Sequence, residues 1–185
     1  MRIVAGHLRG RVLNAPDSKG TRPTSDKTRE TMFNILGHAD WAPPLEDARI
    51  LDLYAGSGAL GFEALSRGAA SAMMVDMAHA ARQAMKATAQ LFDVEDRVVI
   101  LKRDVTRIGS RPTDTDPFDL ILCDPPYRKG LAQKALNTLK SGDWLAPEGV
   151  VVIETAADES LDGSGWQTHA TRKIGPAMLW FFGQS

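Results

Sequence analysis

Cysteine is nearly absent from this sequence, with Cys123 the only one among 185 residues. A lone thiol excludes an intrachain disulfide and favours a reducing compartment. The histidines (His7, His38, His79 and His169) are scattered, and no cysteine pair accompanies them, so a zinc site is not expected. No apolar run approaches the ~20 residues needed to span a bilayer. The N-terminal "MRIVAGHLRGRVL" also lacks the apolar stretch of a signal peptide. Internal repeats and low-complexity tracts are missing. A cytoplasmic, monomeric protein with no membrane partner is expected.

What is present suits one domain with a real core: 43% of residues are hydrophobic and 24% charged. The net charge of −1 conceals an asymmetry. Residues 1–30 contain seven Lys or Arg against Asp17, Asp26 and Glu30, which makes that segment +4 and the remainder −5. A basic arm on an acidic body points to a polyanionic partner, although a solvated leader has the same charge.

A seam falls at "WAPPLEDA", residues 41–48, dividing a segment 1–45 from a domain 46–185. Upstream, "RIVAG" and "GRVLNAP" read as two short strands joined by a turn. A helix follows, starting at Thr24-Ser25-Asp26, with Met32, Phe33, Ile35 and Leu36 as its apolar stripe and Gly37 at its end. Downstream, apolar strands at 49–54, 71–76, 97–101, 118–124 and 149–155 alternate with helices at 59–68, from His79 to Phe92, and around Leu131–Leu139. In the His79 helix, Ala81, Ala84, Met85, Leu91 and Phe92 form the expected buried stripe. Continuous apolar strands separated by amphipathic helices predict a doubly wound α/β fold, its parallel sheet covered on both faces. The tail segments "WQTHATRK" and "AMLWFFG" meet at Gly175-Pro176 with no room for a helix, so they should form an antiparallel hairpin at the sheet edge.

Two constellations carry chemistry. The first is "LDLYAGSGALG", a G-x-G-x-x-G (Gly56, Gly58, Gly61) between a strand and a helix. Asp76 ends the next strand, twenty residues after Gly56. Glycines admit a nucleotide close to the backbone, and the second-strand acid suits ribose hydroxyls. Tight turns also recruit glycine for steric reasons alone. Asp52 just ahead of the loop would repel a pyrophosphate but suits an ammonium group. S-adenosyl-L-methionine carries such a group and no phosphate. Asp104 after the third strand adds a third acid, within reach of an adenine amine. The loop residues Ala55 and Ser57, with Met77 and Val105 beside the acids, complete the expected cofactor contacts.

The second constellation is "CDPPY", in which Asp124 ends the strand expected beside the first one, at the point where ligands bind in open α/β sheets. Each proline restrains the residue before it. Asp124, Pro125, Pro126 and Tyr127 thus make a stiff shelf with a carboxylate, exposed carbonyls and an aromatic face. An exocyclic amine of a nucleobase could donate to Asp124 and a carbonyl while Tyr127 stacks on the ring. The bland alternative is an ordinary turn at a strand end. Cys123 reads only as a small core residue.

These motifs resemble Rossmann-fold S-adenosylmethionine-dependent methyltransferases acting on amino groups. "MRIVAGHLRGRVL", "RPTSDKTRETMFNIL", "LDLYAGSGALGFEALSRGA" and "CDPPY" are similar, in order and spacing, to the bacterial 16S ribosomal RNA guanine-N2 methyltransferases. The resemblance covers nearly the whole chain. It implies a seven-stranded Rossmann-like sheet with a C-terminal antiparallel hairpin, preceded by a small N-terminal β-hairpin and helix. It also implies S-adenosyl-L-methionine as cofactor, 16S rRNA or a small-subunit assembly intermediate as partner, and Arg9, Arg11, Arg22 and Arg29 as RNA contacts or supports of the pocket. Thr88 and Ile174 depart from the family's usual asparagine and aromatic. Rivals remain: an adenine-N6 methyltransferase, a nicotinamide-dependent oxidoreductase and a non-catalytic RNA-binding protein.

Overall fold

The alternating apolar pattern produces its sheet. In the computed structural model, which describes residues 1–15 and 25–185, the strands run β1 (Arg49–Leu53), β2 (Ser71–Val75), β3 (Val98–Leu101), β4 (Phe118–Cys123), β5 (Leu145–Ala156), β6 (Trp166–Ile174) and β7 (Ala177–Gln184). Their spatial order is β3-β2-β1-β4-β5-β7-β6. β1 to β5 pair in parallel, whereas β7 lies antiparallel between β5 and β6. The tail hairpin therefore forms as expected, with β6 outermost.

Side-chain alternation divides the core between the two sheet faces. Ile50, Leu120, Leu122, Val150 and Val152 point to one face. There they meet α2 (Ala59–Ser66), α3 (His79–Phe92) and α1 (Asp26–Leu36). Leu51, Leu53, Ile121, Val151 and Ile153 point to the other, onto α4 (Leu131–Ser141). Burial of this kind is worth about 1.5–3 kcal/mol per large apolar side chain, so the sheet needs both helical layers.

The helix expected after residue 24 is α1. Ser25 caps it by accepting the Thr28 amide at 3.0 Å, and Gly37 ends it. Met32, Phe33 and Leu36 are buried in the same core as the sheet, together with Ile3, Leu8 and Leu13 from the N-terminal arm. Three expectations change in detail, and one is not tested. β5 begins at Leu145 rather than Gly149, because a register irregularity between Phe118 and Leu120 accommodates the extra residues of "APEG". Leu91 is exposed on α3 instead of buried. The two N-terminal strands reduce to one antiparallel bridge, Arg2 to Val12. Arg22, together with Thr24 at the expected helix start, lies outside the described residues.

The missing ladder has a chemical reason. The Val4 and Ala5 amides donate to the two oxygens of Glu63 on α2, at 2.8 and 3.0 Å. The Leu8 amide donates to Ser66 Oγ, and the His7 amide to the Ser66 carbonyl. Backbone donors that would pair with a second strand are used to dock the arm on α2. Thr88 fastens the arm's far end to α3, its Oγ1 accepting the Asn14 amide at 3.0 Å. Thr88 is thus a buried anchor.

Candidate functional site

β1 is the strand from which the chain steps outward both ways, to β2 and to β4. At its carboxyl end the backbone must reverse into α2. Gly58 caps that helix at φ +77°, a left-handed conformation that costs side-chain-bearing residues energy. Gly61 serves a different need: a Cβ there would stand 2.5 Å from Met74 Cε on β2. The loop is therefore shaped by sterics as well as by any ligand. Tyr54 enters it at φ +58°, and its buried hydroxyl has no hydrogen-bond partner among the described residues.

Asp76 sits at the end of β2 and faces the loop. Its Oδ2 accepts the Gly56 amide at 2.9 Å, and its Oδ1 accepts the Ala78 amide at 2.8 Å. An ionised carboxylate has about four lone-pair sites, so capacity remains for ligand hydroxyls. Arg82 ties the same turn by donating to the Asp76 and Met77 carbonyls.

Asp52 lies deeper. It is almost wholly buried, and its Oδ2 accepts the Gly61 amide at 2.9 Å. Burial raises its pKa from 3.8 to about 8, with the charges of Asp124 and Asp76 pushing the same way. Cys123, behind the shelf, is also buried, and burial raises its thiol well above the ordinary range. It is a poor nucleophile there.

A cavity of about 660 Å³ opens over these strand ends. Tyr54, Gly56 and Asp76 line one side, and Asp124, Pro125, Pro126 and Tyr127 the other. Ile174 to Ala177, at the turn of the β6–β7 hairpin, and Ser25, Lys27 and Thr28, at the start of α1, complete the wall. The two sequence constellations thus share one cavity. The Asp124 amide donates to the Leu53 carbonyl at 3.3 Å, which seats the shelf directly beside the glycine loop.

Other expected residues stand outside this lining. Asp52, Ala55, Ser57, Gly58, Met77, Asp104 and Val105 do not line the cavity. Ala55, Ser57 and Gly58 belong to the loop around it, and Met77 is exposed beside Asp76. Asp104 caps a short 3-10 turn at Val105 by accepting the Thr106 amide and hydroxyl, and these bonds lower its pKa. Val105 is buried against the α4 side of the sheet. Of the expected arginines, Arg9 and Arg11 are exposed on the arm. Arg11 lies over the Phe92 ring, 4.6 Å from its centroid, and donates to the Leu91 carbonyl.

Of the two roles expected for Arg29, RNA contact or support, the structure excludes the first. Arg29 is fully buried, bonded to the Arg2 carbonyl at 2.6 Å and to Asp26 at 2.8 Å, with Glu63 3.4 Å away. Such a side chain supports the arm and does not face a polyanion. Glu63 and Glu154 were not anticipated. Each is an acid inside an apolar run, the same signal that marked Asp52. Glu154, on β5, lines the cavity and accepts the Tyr127 hydroxyl.

Comparison with known proteins places this arrangement among relatives. The family described as "Conserved hypothetical protein 95" matches residues 1–183. Ribosomal RNA small subunit methyltransferase D of Escherichia coli (strain K12) is 37% identical over 177 residues, covering 95% of this chain and 85% of the relative. The solved structure of yhhF from Escherichia coli, provisionally named a methyltransferase, superposes with a TM-score of 0.81 at 31% identity. That match covers 100% of this chain and 98% of the other. An RNA methyltransferase from Salinibacter ruber, solved in complex with S-adenosyl-L-homocysteine, shares the fold at 16% identity and a TM-score of 0.65, over 86% of this chain and 92% of that one.

Proposed function

We propose, of a chain that belongs to the Conserved hypothetical protein 95 family, that it transfers a methyl group from S-adenosyl-L-methionine to the exocyclic N2 of a guanine in 16S ribosomal RNA. One observation carries this reading: Gly56 and Asp76 share a single cavity with Asp124, Pro125, Pro126 and Tyr127. The ribosomal RNA methyltransferase relatives, matched over most of their length, support it.

The donor set fits the cofactor. Asp76 offers acceptors to ribose hydroxyls, and glycines at 56 and 58 leave the loop backbone accessible. Asp52, buried behind the loop and holding its proton up to about pH 8, supports the loop through the Gly61 amide and does not itself choose between cofactors. Asp104 and Val105 serve the adenine end in this reading, with Ala55, Ser57 and Met77 as backbone or edge contacts. When bound, S-adenosylmethionine supplies a methyl group made electrophilic by its sulfonium.

The shelf does the rest. A guanine amine is a weak nucleophile because its lone pair is delocalised into the ring. Asp124 and a shelf carbonyl accept its two hydrogens, which draws the nitrogen toward tetrahedral geometry and aims the lone pair. Tyr127 stacks on the base. Positioning and fixed charge account for most of the rate gain.

A stacked guanine must be flipped to reach this depth. In an A-form duplex guanine N2 lies on the minor-groove edge of a base that is paired and stacked, so a loop or a partly assembled small subunit, where the base is already unpaired, is the better substrate. Residues 1–45 act as an RNA-binding extension of the domain 46–185. Arg9 and Arg11, with Lys27 and Lys129 at the cavity mouth, neutralise phosphates. The test is mass-spectrometric nucleoside analysis of ribosomal RNA incubated with protein and labelled cofactor. N2-methylguanosine is the expected product, and N6-methyladenosine would overturn the substrate assignment.

A further inference from the structure

Glu154 is an acid in the cavity to which the chemistry above assigns no work. It is 3% exposed and lines the same wall as Asp124. β4 and β5 are parallel neighbours with Cys123 opposite Ile153. Asp124 and Glu154 are the next residues, so two carboxyl groups emerge at one level from adjacent strands. The Tyr127 hydroxyl donates to Glu154 Oε1, which links the stacking ring to the second carboxylate.

Nucleobase edges differ in what they demand of such a pair. Guanine presents adjacent donors, N1–H and the N2 amine. Adenine presents its N6 amine beside N1, an acceptor. An ionised carboxylate accepts and cannot donate, so in that state a second one beside the first rewards guanine and repels adenine. Resting on the guanine-N2 reading, we propose that Glu154 is a specificity-determining residue that accepts guanine N1–H while Asp124 accepts an N2 hydrogen. The bond from Tyr127 uses one of the roughly four acceptor sites of the carboxylate and fixes its orientation. The simpler role, a strut for the Tyr127 ring, makes a different prediction.

The two roles separate on a base analogue. 2-Aminopurine keeps the amine that is methylated but has a lone pair where guanine has N1–H. The full-length protein is assayed on RNA bearing the mapped target guanine and on the same RNA with 2-aminopurine at that position. Wild type is expected to prefer guanine in kcat/KM by roughly 10–100-fold, the scale of one good base-edge pairing. Glu154→Gln, whose carboxamide can donate to N1, is expected to erase or invert that preference. Tyr127→Phe, which keeps the stacking ring and loses only the bond that orients Glu154, is expected to weaken the preference without inverting it. Equal use of both RNAs by wild type overturns the proposal however the variants fold. So does an unchanged preference in Glu154→Gln with cofactor affinity intact, which would make Glu154 a strut. An N6-methyladenosine product from wild type fails the guanine reading itself, and this inference falls with it.

Discussion

The Gly56 amide donates to Asp76 Oδ2 at 2.9 Å, joining the tip of the first loop to the end of the second strand. Parallel pairing of β1 with β2, Leu53 opposite Val75, brings the two together. The acid is thereby held at the cavity before any ligand arrives. Its role in shaping the loop and the binding role proposed for it are therefore coupled.

Asp76→Ala is accordingly expected to weaken S-adenosylmethionine binding by roughly 1–3 kcal/mol, because buried hydroxyls lose a charged acceptor. Calorimetry measures this directly. Unchanged affinity would remove Asp76 from the binding site.

Asp124→Ala is expected to leave cofactor affinity nearly intact and to slow methyl transfer by roughly 10²–10³, the scale of one preorganised transition-state interaction. Asn at this position keeps one carbonyl acceptor and should retain more activity than Ala. Single-turnover rates decide, and equally inactive variants would point instead to a need for a strong base.

Asp52 makes stability pH-dependent. Its folded pKa, about 8, lies above the ordinary 3.8, so the folded state binds its proton more tightly than the unfolded chain does. Its contribution is most favourable below about pH 4, and stability falls as pH rises toward 8, by at most about 1.4 kcal/mol per unit. Asp52→Asn retains an acceptor for the Gly61 amide and should flatten this slope. Thermal unfolding of both proteins at pH 5 and pH 8 is the measurement, and parallel curves would contradict the assignment.

The arm divides into a buried, structural part and an exposed part proposed to meet RNA. Glu63→Ala strands buried Arg29 and two arm amides, and should cost about 3–5 kcal/mol in denaturant unfolding. Arg9→Glu touches nothing internal, so stability should stay within roughly 0.5 kcal/mol. RNA affinity should nevertheless fall, and its salt slope should shrink by about 0.7–0.9 for each phosphate that is no longer neutralised. Unaltered RNA binding in Arg9→Glu would return the arm to a solvated leader. Deleting residues 1–45 is no clean test, because Ile3, Leu8, Met32 and Phe33 belong to the main core.

The sequence by itself determined the parallel sheet, both motifs and the tail hairpin, because each is written in local terms. Apolar runs, a glycine turn, two prolines and a two-residue loop act over distances of a few residues. Asp76 and Asp124, which the fold brings to one cavity, were legible for the same reason, as acids at strand ends. Only the tertiary structure decided the fate of the basic arm. Nothing local distinguishes Arg29, folded inward onto Glu63, from Arg9, left in solvent. The missing N-terminal ladder likewise depended on Glu63 and Ser66, some sixty residues away, capturing the arm's amides. Glu154 faces Tyr127 because β5 lies beside β4, a pairing that no spacing in the chain announces. Charge and hydrogen-bonding capacity can be read from residues, but their partners are chosen by packing.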